Sequence, residues 1–158
     1  MNSANKKTYF VSGHLDLTDS EFKDQYVPLL LEIYGTECTF VMGNAPGADT
    51  KTLRWLLNDA KIEPSRISIY AYSKNVKKLE QDIQLFKKLG VQIVLDAAWQ
   101  SATDRDAAMT RASTHDIAWV RSKEEQQKLL GKKYDPNWIT GTQANLIRRT
   151  TVTKNDAC

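Results

Sequence analysis

The chain has few of the residues that mark a specialised chemistry. Only two of its 158 residues are cysteines, Cys38 and Cys158, and they have no metal-site spacing. Cys38 lies in an apolar run and reads as a core residue, while Cys158 ends the chain. Such usage suits a reducing compartment, although two cysteines do not by themselves exclude a disulfide. The only histidines are His14 and His115. No cluster of His, Cys, Asp and Glu has ligand spacing, and no Ser/His/Asp arrangement is legible, so neither a metal nor a cofactor is expected. No apolar run approaches membrane length and no secretory-type segment opens the chain. A cytoplasmic protein without a membrane partner is therefore expected. Excess charge is also lacking: the net charge is +3 and the Lys and Arg residues are spread along the chain. That balance suits an anionic small molecule as well as it suits weak nucleic-acid contact, and the spread of the cations gives a nucleic-acid footprint no support.

The apolar and charged fractions are ordinary for a globular domain, and the length allows one sizeable core. A single domain is expected over residues 8–150, between polar tails at 1–7 and 151–158. Thr8 to Val11 reads as a strand. Thr18-x-x-Glu21 is a capping box, and Phe22, Tyr26, Leu29, Leu30 and Ile33 form the stripe of the helix that follows. Pro28 should kink that helix or mark a second start. Further strands are expected at Cys38–Met42, Ile67–Tyr72, Val91–Leu95 and Ile117–Val120. Helices are expected after Asp49, with Leu53, Leu56, Leu57 and Ala60 inward, and over Asn75–Leu89. Others should start at Thr103 or Asp104, span Ser122–Leu130, and run from about Gln143 to Arg149. Tyr134 to Ile139 reads as a loop. This alternation predicts an α/β, Rossmann-like three-layer sandwich with a mainly parallel sheet of about five strands.

In such a sheet, ligands bind at the carboxyl ends of the strands. The segments expected there include Ser12-Gly13-His14, Gly43 to Asp49, Ala97 to Arg105, and Thr140-Gly141-Thr142. Gly43 and Gly47 permit close backbone approach, with Asn44, Ala48 and Asp49 in the same loop. Asp49 is placed to cap the next helix. A tight β–α turn explains this loop as readily as a binding loop, and it matches neither the dinucleotide fingerprint nor the P-loop. Gly141 and Thr142 open a helix whose free N–H groups suit a phosphate, with Gln143 in its first turn; a plain helix cap is the competing explanation. The Arg105 guanidinium suits bidentate phosphate contact, or else a surface ion pair with Asp104 or Asp106. His14 could donate to a ligand or move a proton, or simply be a polar loop residue. Trp55 and Trp119 fit core faces. Trp99 and Trp138, in predicted loops, could cover a flat base or pack beneath the long loop.

Taken in order, these segments resemble the superfamily that contains the SMF/DprA proteins, the LOG phosphoribohydrolases and the molybdenum-cofactor carrier proteins. Ser12-Gly13 resembles its first-strand glycine loop, and Gly43-Asn44-Ala45-Pro46-Gly47-Ala48-Asp49 its Gly-Gly-Ala-x-Gly-Ala-Asp loop. Asp104-Arg105-Asp106-x-x-Met109 resembles the Glu-Arg-Lys-x-x-Met segment of the LOG enzymes. Ala112 to Val120 parallels the strand that follows it, and Gly141-Thr142 the Gly-Thr of the last helix. The resemblance runs from about Tyr9 to Arg149. It implies a site for a nucleotide-like phosphorylated ligand and, by analogy, a homodimer through helices flanking the sheet.

Two departures matter. The charged segment Lys123 to Ile139 intervenes before Gly141-Thr142, where the LOG enzymes pass directly into their glycine motif. Asn145 and Asp106 stand where those enzymes carry a glutamate and a lysine. An amide cannot serve as a carboxylate base or nucleophile. The expectation is therefore a nucleotide sensor, carrier or sequestering protein. The alternative is an N-glycosidase or phosphoribohydrolase with a rearranged acid–base set drawn from Asp104, Asp106, Asp49 or Glu124. A third reading, DprA-like nucleic-acid binding, has charge against it.

Overall fold

A computed structural model describes residues 6–156. Five strands form one all-parallel sheet in the order β4-β3-β2-β1-β5: β1 (Thr8–Val11), β2 (Thr39–Gly43), β3 (Ile67–Tyr70), β4 (Gln92–Val94) and β5 (His115–Ile117). The connecting helices are α1 (Asp19–Gln25), α2 (Val27–Ile33), α3 (Ala48–Arg54), α4 (Val76–Leu89), α5 (Ala102–Arg111), α6 (Lys123–Leu130) and α7 (Gly141–Asp156). From β1 to β4 each strand is laid on the same side of its predecessor; β5 then returns to the far side of β1. Because parallel crossovers are right-handed, that reversal changes the face on which the helices lie.

Side-chain packing follows this topology. Val11, Phe40, Met42, Ile67, Ile69 and Ile117 point to one face and join Phe22, Tyr26, Leu30, Leu53, Leu56 and Phe86 from α1 to α4 in the main core. Phe10 and Val41 point to the other face and pack with Met109 of α5 and the ring of Tyr70. Both faces of the sheet are thus covered, as parallel sheets require. Each fully buried Phe, Met or Ile here is worth about 1.5–3 kcal/mol.

Several predicted boundaries move, each for a traceable reason. Pro28 does mark a second helix start: α1 ends at Gln25 and α2 begins at Val27, with Pro28 in its first turn. Leu29, expected on the buried stripe, is exposed, while Tyr26 and Leu30 are sealed. Helix α5 starts at Ala102 because Ser101, not Thr103 or Asp104, supplies the capping oxygen to the Asp104 N–H. Strand β5 occupies His115–Ile117 rather than Ile117–Val120. The backbone ladder ends where Ser12 N donates to Ile117 O, and beyond it two side chains take over: Trp119 N donates to the Tyr26 hydroxyl and Arg121 N to His14 Nε2. The polar pair that hid this strand has local partners, since His115 lies against Tyr9 and Asp116 accepts from Arg149. Helix α7 runs on to Asp156, so residues 151–156 are helical rather than tail. Residues 1–5 of the expected leading tail, and Cys158, lie outside the described residues. Among the described residues no helix is long and apolar enough to cross a membrane.

Candidate functional site

The reversal of strand order beside β1 opens a crevice at the carboxyl end of the sheet, the place where open α/β sheets take ligands. A cavity of about 790 Å³ occupies it, within the size range that holds a small ligand. The end of β1 and its loop, Phe10 to Asp16, line one wall. Asp49, Arg105, Asp106 and Met109 line the base, and Thr140, Gly141, Thr142 and Asn145 a further side. Gln126, Leu130, Lys133, Asp135 and Trp138 line it from the segment between β5 and α7.

Of the residues singled out in the sequence, Ser12, Gly13, His14, Asp49, Arg105, Gly141 and Thr142 line this cavity. Gly43, Asn44, Gly47, Ala48 and Gln143 do not, and each has a structural occupation instead. Gly43 leaves room for its neighbours: a Cβ there would stand 2.8 Å from Arg105 Cζ and 3.0 Å from Asp49 Oδ2. Gly47, at φ +82°, lets α3 approach the first loop, where a Cβ would fall 2.2 Å from the His14 carbonyl oxygen. That carbonyl accepts the Ala48 N–H at 3.3 Å, so the amide that might have met a phosphate is already satisfied. The Asn44 side chain ties four elements together. Its Oδ1 accepts from Tyr72 N at 2.9 Å and from Arg105 Nη1 at 3.0 Å, and its Nδ2 donates to Asp82 at 2.9 Å. Gln143 forms a capping box with Thr140: its N–H donates to Thr140 Oγ1 at 3.1 Å, and its Oε1 accepts from Thr140 N at 2.7 Å. The amides of Gly141 and Thr142, which have no intrahelical acceptor, remain at the cavity wall.

Asp49 is not the cap of α3 that its position suggested. Gly47 takes that place, and Asp49 sits one turn-position inside the helix, buried. Its carboxylate reaches back to the loop, accepting from Ala45 N at 3.3 Å and from Gly43 N. Burial raises its pKa from 3.8 to about 7; the Arg105 charge pulls it down and the Asp106 charge pushes it up. A carboxyl poised there exchanges a proton near neutrality, the property a general acid or base needs.

Arg105 is likewise more committed than predicted. Its Nε and Nη2 donate to Asp106 Oδ1 at 3.1 and 2.9 Å, forming a part-buried ion pair rather than a surface one. The other Asp106 oxygen accepts from Asn145 Nδ2 at 3.3 Å, and Asn145 Oδ1 accepts from Arg148 Nη1. Asn44, Arg105, Asp106, Asn145 and Arg148 therefore form one chain of polar contacts under the cavity. Asp106 and Asn145 are direct neighbours within it.

His14 is neutral by construction. Its Nε2 accepts the Arg121 N–H at 2.9 Å, which places the ring proton on Nδ1. Burial, then the Arg121 charge, lowers its pKa below the ordinary 6.5. Arg121 itself is buried and clamped, donating to Glu21 at 2.7 and 2.8 Å and to Asp16 Oδ1 at 2.7 Å. This clamp fastens the chain after β5 to α1.

The contribution of Gln126, Lys133 and Asp135 was missed in the sequence, where their segment reads as a polar helix and a loop; Trp138 on the same segment, expected to cover a flat base or to pack beneath the loop, does line the cavity. One signal was available: a long insertion between the last strand and the last helix, on the ligand edge, has to run beside the cavity. Trp99 covers no ligand space and stacks on Tyr70 at 5.8 Å. Among the described residues no group of three or more His, Cys, Asp or Glu side chains could hold a metal ion. No family model, curated protein or solved structure matches the chain.

Proposed function

We propose that this chain binds a nucleotide or nucleotide-derived phosphorylated ligand in the switch-point cavity, as a sensor, carrier or sequestering protein of the SMF/DprA–LOG kind, acting in the cytoplasm. One observation carries this. The strand-order reversal, the first loop, the Asp49–Arg105–Asp106 base and the first turn of α7 at Gly141 and Thr142 all converge on one cavity of about 790 Å³. Anionic groups gain from helix N-terminal amides, and the mild net charge of +3 suits a small anion better than a polyanion. The cavity charges point to a ligand of low charge. Among the lining groups Arg105 is paired with Asp106 and Asp16 with Arg121, Lys133 and Asp135 carry opposite charges, and Asp49 adds a carboxyl that titrates at about 7. A monophosphate fits that balance better than a triphosphate does.

A thermal-shift and titration screen against nucleoside mono-, di- and triphosphates, cyclic nucleotides, NAD, ADP-ribose and pterin cofactors tests the proposal. A true ligand at about 100 times its Kd adds roughly 2.7 kcal/mol of stability. Absence of any stabilisation across the whole panel refutes it.

Asp49 favours a second reading, an N-glycosidase or phosphoribohydrolase, because a buried carboxyl that titrates at about 7 lies in the cavity lining. In that reading Asp49 holds the proton delivered to, or taken from, the base. Release of free base from nucleoside monophosphates, abolished by Asp49→Asn, distinguishes it from simple binding.

A further inference from the structure

Residues 123–139, between β5 and α7, form a thin wall of the cavity. Neither α6 nor the single 3₁₀ turn at Gly131–Lys133 buries a residue, yet the segment contributes Gln126, Leu130, Lys133, Asp135 and Trp138 to the lining. It is fastened at its two ends, by the Arg121 clamp and by the Thr140–Gln143 capping box. Hydrophobic burial therefore does little to hold it, and its inward-facing polar groups have no evident structural purpose.

Two enclosed oxygens belong to residues that line this space. Gln126 Oε1 has no hydrogen-bond partner among the described residues, and neither has Ser12 Oγ, on the loop that ends β1. Both residues line the cavity, and Ser12 is 7% exposed. An enclosed oxygen without a donor has lost its water without replacement, a cost that a ligand bearing N–H or O–H groups removes. Trp138, on the same segment as Gln126, is 58% exposed despite its size. Gln126 and Trp138 also line the adjoining cavity of about 210 Å³ beside His14, so they stand together at the junction of the two spaces.

We propose that residues 123–139 are the selectivity element of the cavity: the Gln126 carboxamide pairs with adjacent donor and acceptor atoms on the edge of a planar nitrogen heterocycle whose face rests on the Trp138 indole. This inference rests on the cavity reading above and names the part of the ligand that the segment reads. A carboxamide offers one acceptor and one donor side by side. It therefore matches an uncharged edge of the kind nucleobases present, and not a phosphate or a carboxylate. Aromatic faces accept any base by stacking, so Trp138 supplies affinity and Gln126 supplies choice. Lys133 and Asp135 add no net charge to this wall, consistent with a neutral ring against it.

The test is calorimetric titration of the full chain with AMP, IMP, GMP, CMP, UMP and ribose 5-phosphate, for the parent and for Gln126→Leu, Gln126→Glu, Trp138→Ala and Trp138→Phe. The parent is expected to bind at least one nucleotide more tightly than ribose 5-phosphate. Gln126→Leu should weaken that nucleotide by about tenfold, and Trp138→Ala by a similar factor, with ribose 5-phosphate unaffected. Trp138→Phe should retain most of the affinity, and Gln126→Glu should change the ranking of the bases. Two results overturn the inference while leaving the cavity reading intact: nucleotides that bind the parent and both truncations equally, or ribose 5-phosphate that binds the parent as tightly as every nucleotide. Failure of all six probes to bind the parent also overturns the inference, and the cavity reading is then decided by the wider ligand panel above.

Discussion

Replacing Asp49 by Asn removes a proton that the fold takes up. In the native protein this carboxyl titrates at about 7, against an ordinary 3.8, because it is buried at the cavity base. Between those two values the folded protein holds a proton that the unfolded chain has lost. Stability must then fall as pH rises, by about 1.4 kcal/mol per pH unit at the steepest. The loss starts above the unfolded value, is largest between roughly pH 5 and 6, and levels off above roughly pH 8. Over the whole range it amounts to roughly 4 kcal/mol, a large share of an ordinary domain's stability. Asn keeps the volume and keeps an oxygen to accept the Ala45 N–H, and Arg105 retains Asp106 and Asn44 as partners. The variant should therefore behave like the protonated parent at every pH. His14 titrates nearby with the opposite sign. Its pKa is lowered, so its contribution is complete above about 6.5 and is lost as pH falls through the lower folded value. That term is common to both proteins and cancels in their difference. Urea unfolding of parent and Asp49→Asn at pH 5, 6, 7, 8 and 9 measures the effect. The stability gap should widen in favour of the variant by roughly 3 kcal/mol between pH 5 and 8. Two parallel pH curves would mean that Asp49 ionises like a solvated carboxyl and that the cavity base is wet.

Other outcomes follow from the same geometry. Gly47→Ala should cost roughly 3 kcal/mol or more in chemical denaturation, because a Cβ at φ +82° meets the His14 carbonyl at 2.2 Å; a loss under about 1 kcal/mol would show the loop free to move aside. Arg121→Ala should destabilise by about 1.5–3 kcal/mol at neutral pH, the size of lost charge-assisted hydrogen bonds, because the carboxylates left behind reach solvent. The variant should also lose the parent's acid response. Arg121 holds Glu21 down at about 2 against an ordinary 4.5, a stabilisation present above about 4.5 and lost as pH falls toward 2; an unchanged unfolding profile between pH 2 and 5 would contradict the clamp. Base release from AMP, GMP, CMP and their deoxy forms should be absent or very slow, since Asn145, hydrogen-bonded to Asp106 and Arg148, cannot replace a glutamate. Turnover of about 1 per second or faster would transfer the chemistry to Asp49.

Periodicity and punctuation in the sequence already determined the architecture. Strands alternating with helices, the capping box at Thr18-x-x-Glu21, Pro28 as a second start and Gly90 closing α4 are local instructions, and the parallel sheet carries them out. Local chemistry also nominated the edge where the cavity lies, since small residues after strands mark close approach of backbone. It could not say what they approach. The glycines at 43 and 47 make room for Arg105, Asp49 and the His14 carbonyl rather than for a ligand, and a β–α turn reads the same either way from sequence. Partners distant in the chain decided the rest. Asn44 spends its side chain on Tyr72, Arg105 and Asp82, and the amides that would have prolonged β5 are taken by Tyr26 and His14. Burial turned Asp49 from a presumed cap into a carboxyl poised at about 7. The fold also made the polar segment 123–139 a wall of the cavity. Hydrogen-bond competition and desolvation depend on what stands opposite each group, and only the folded chain supplies that.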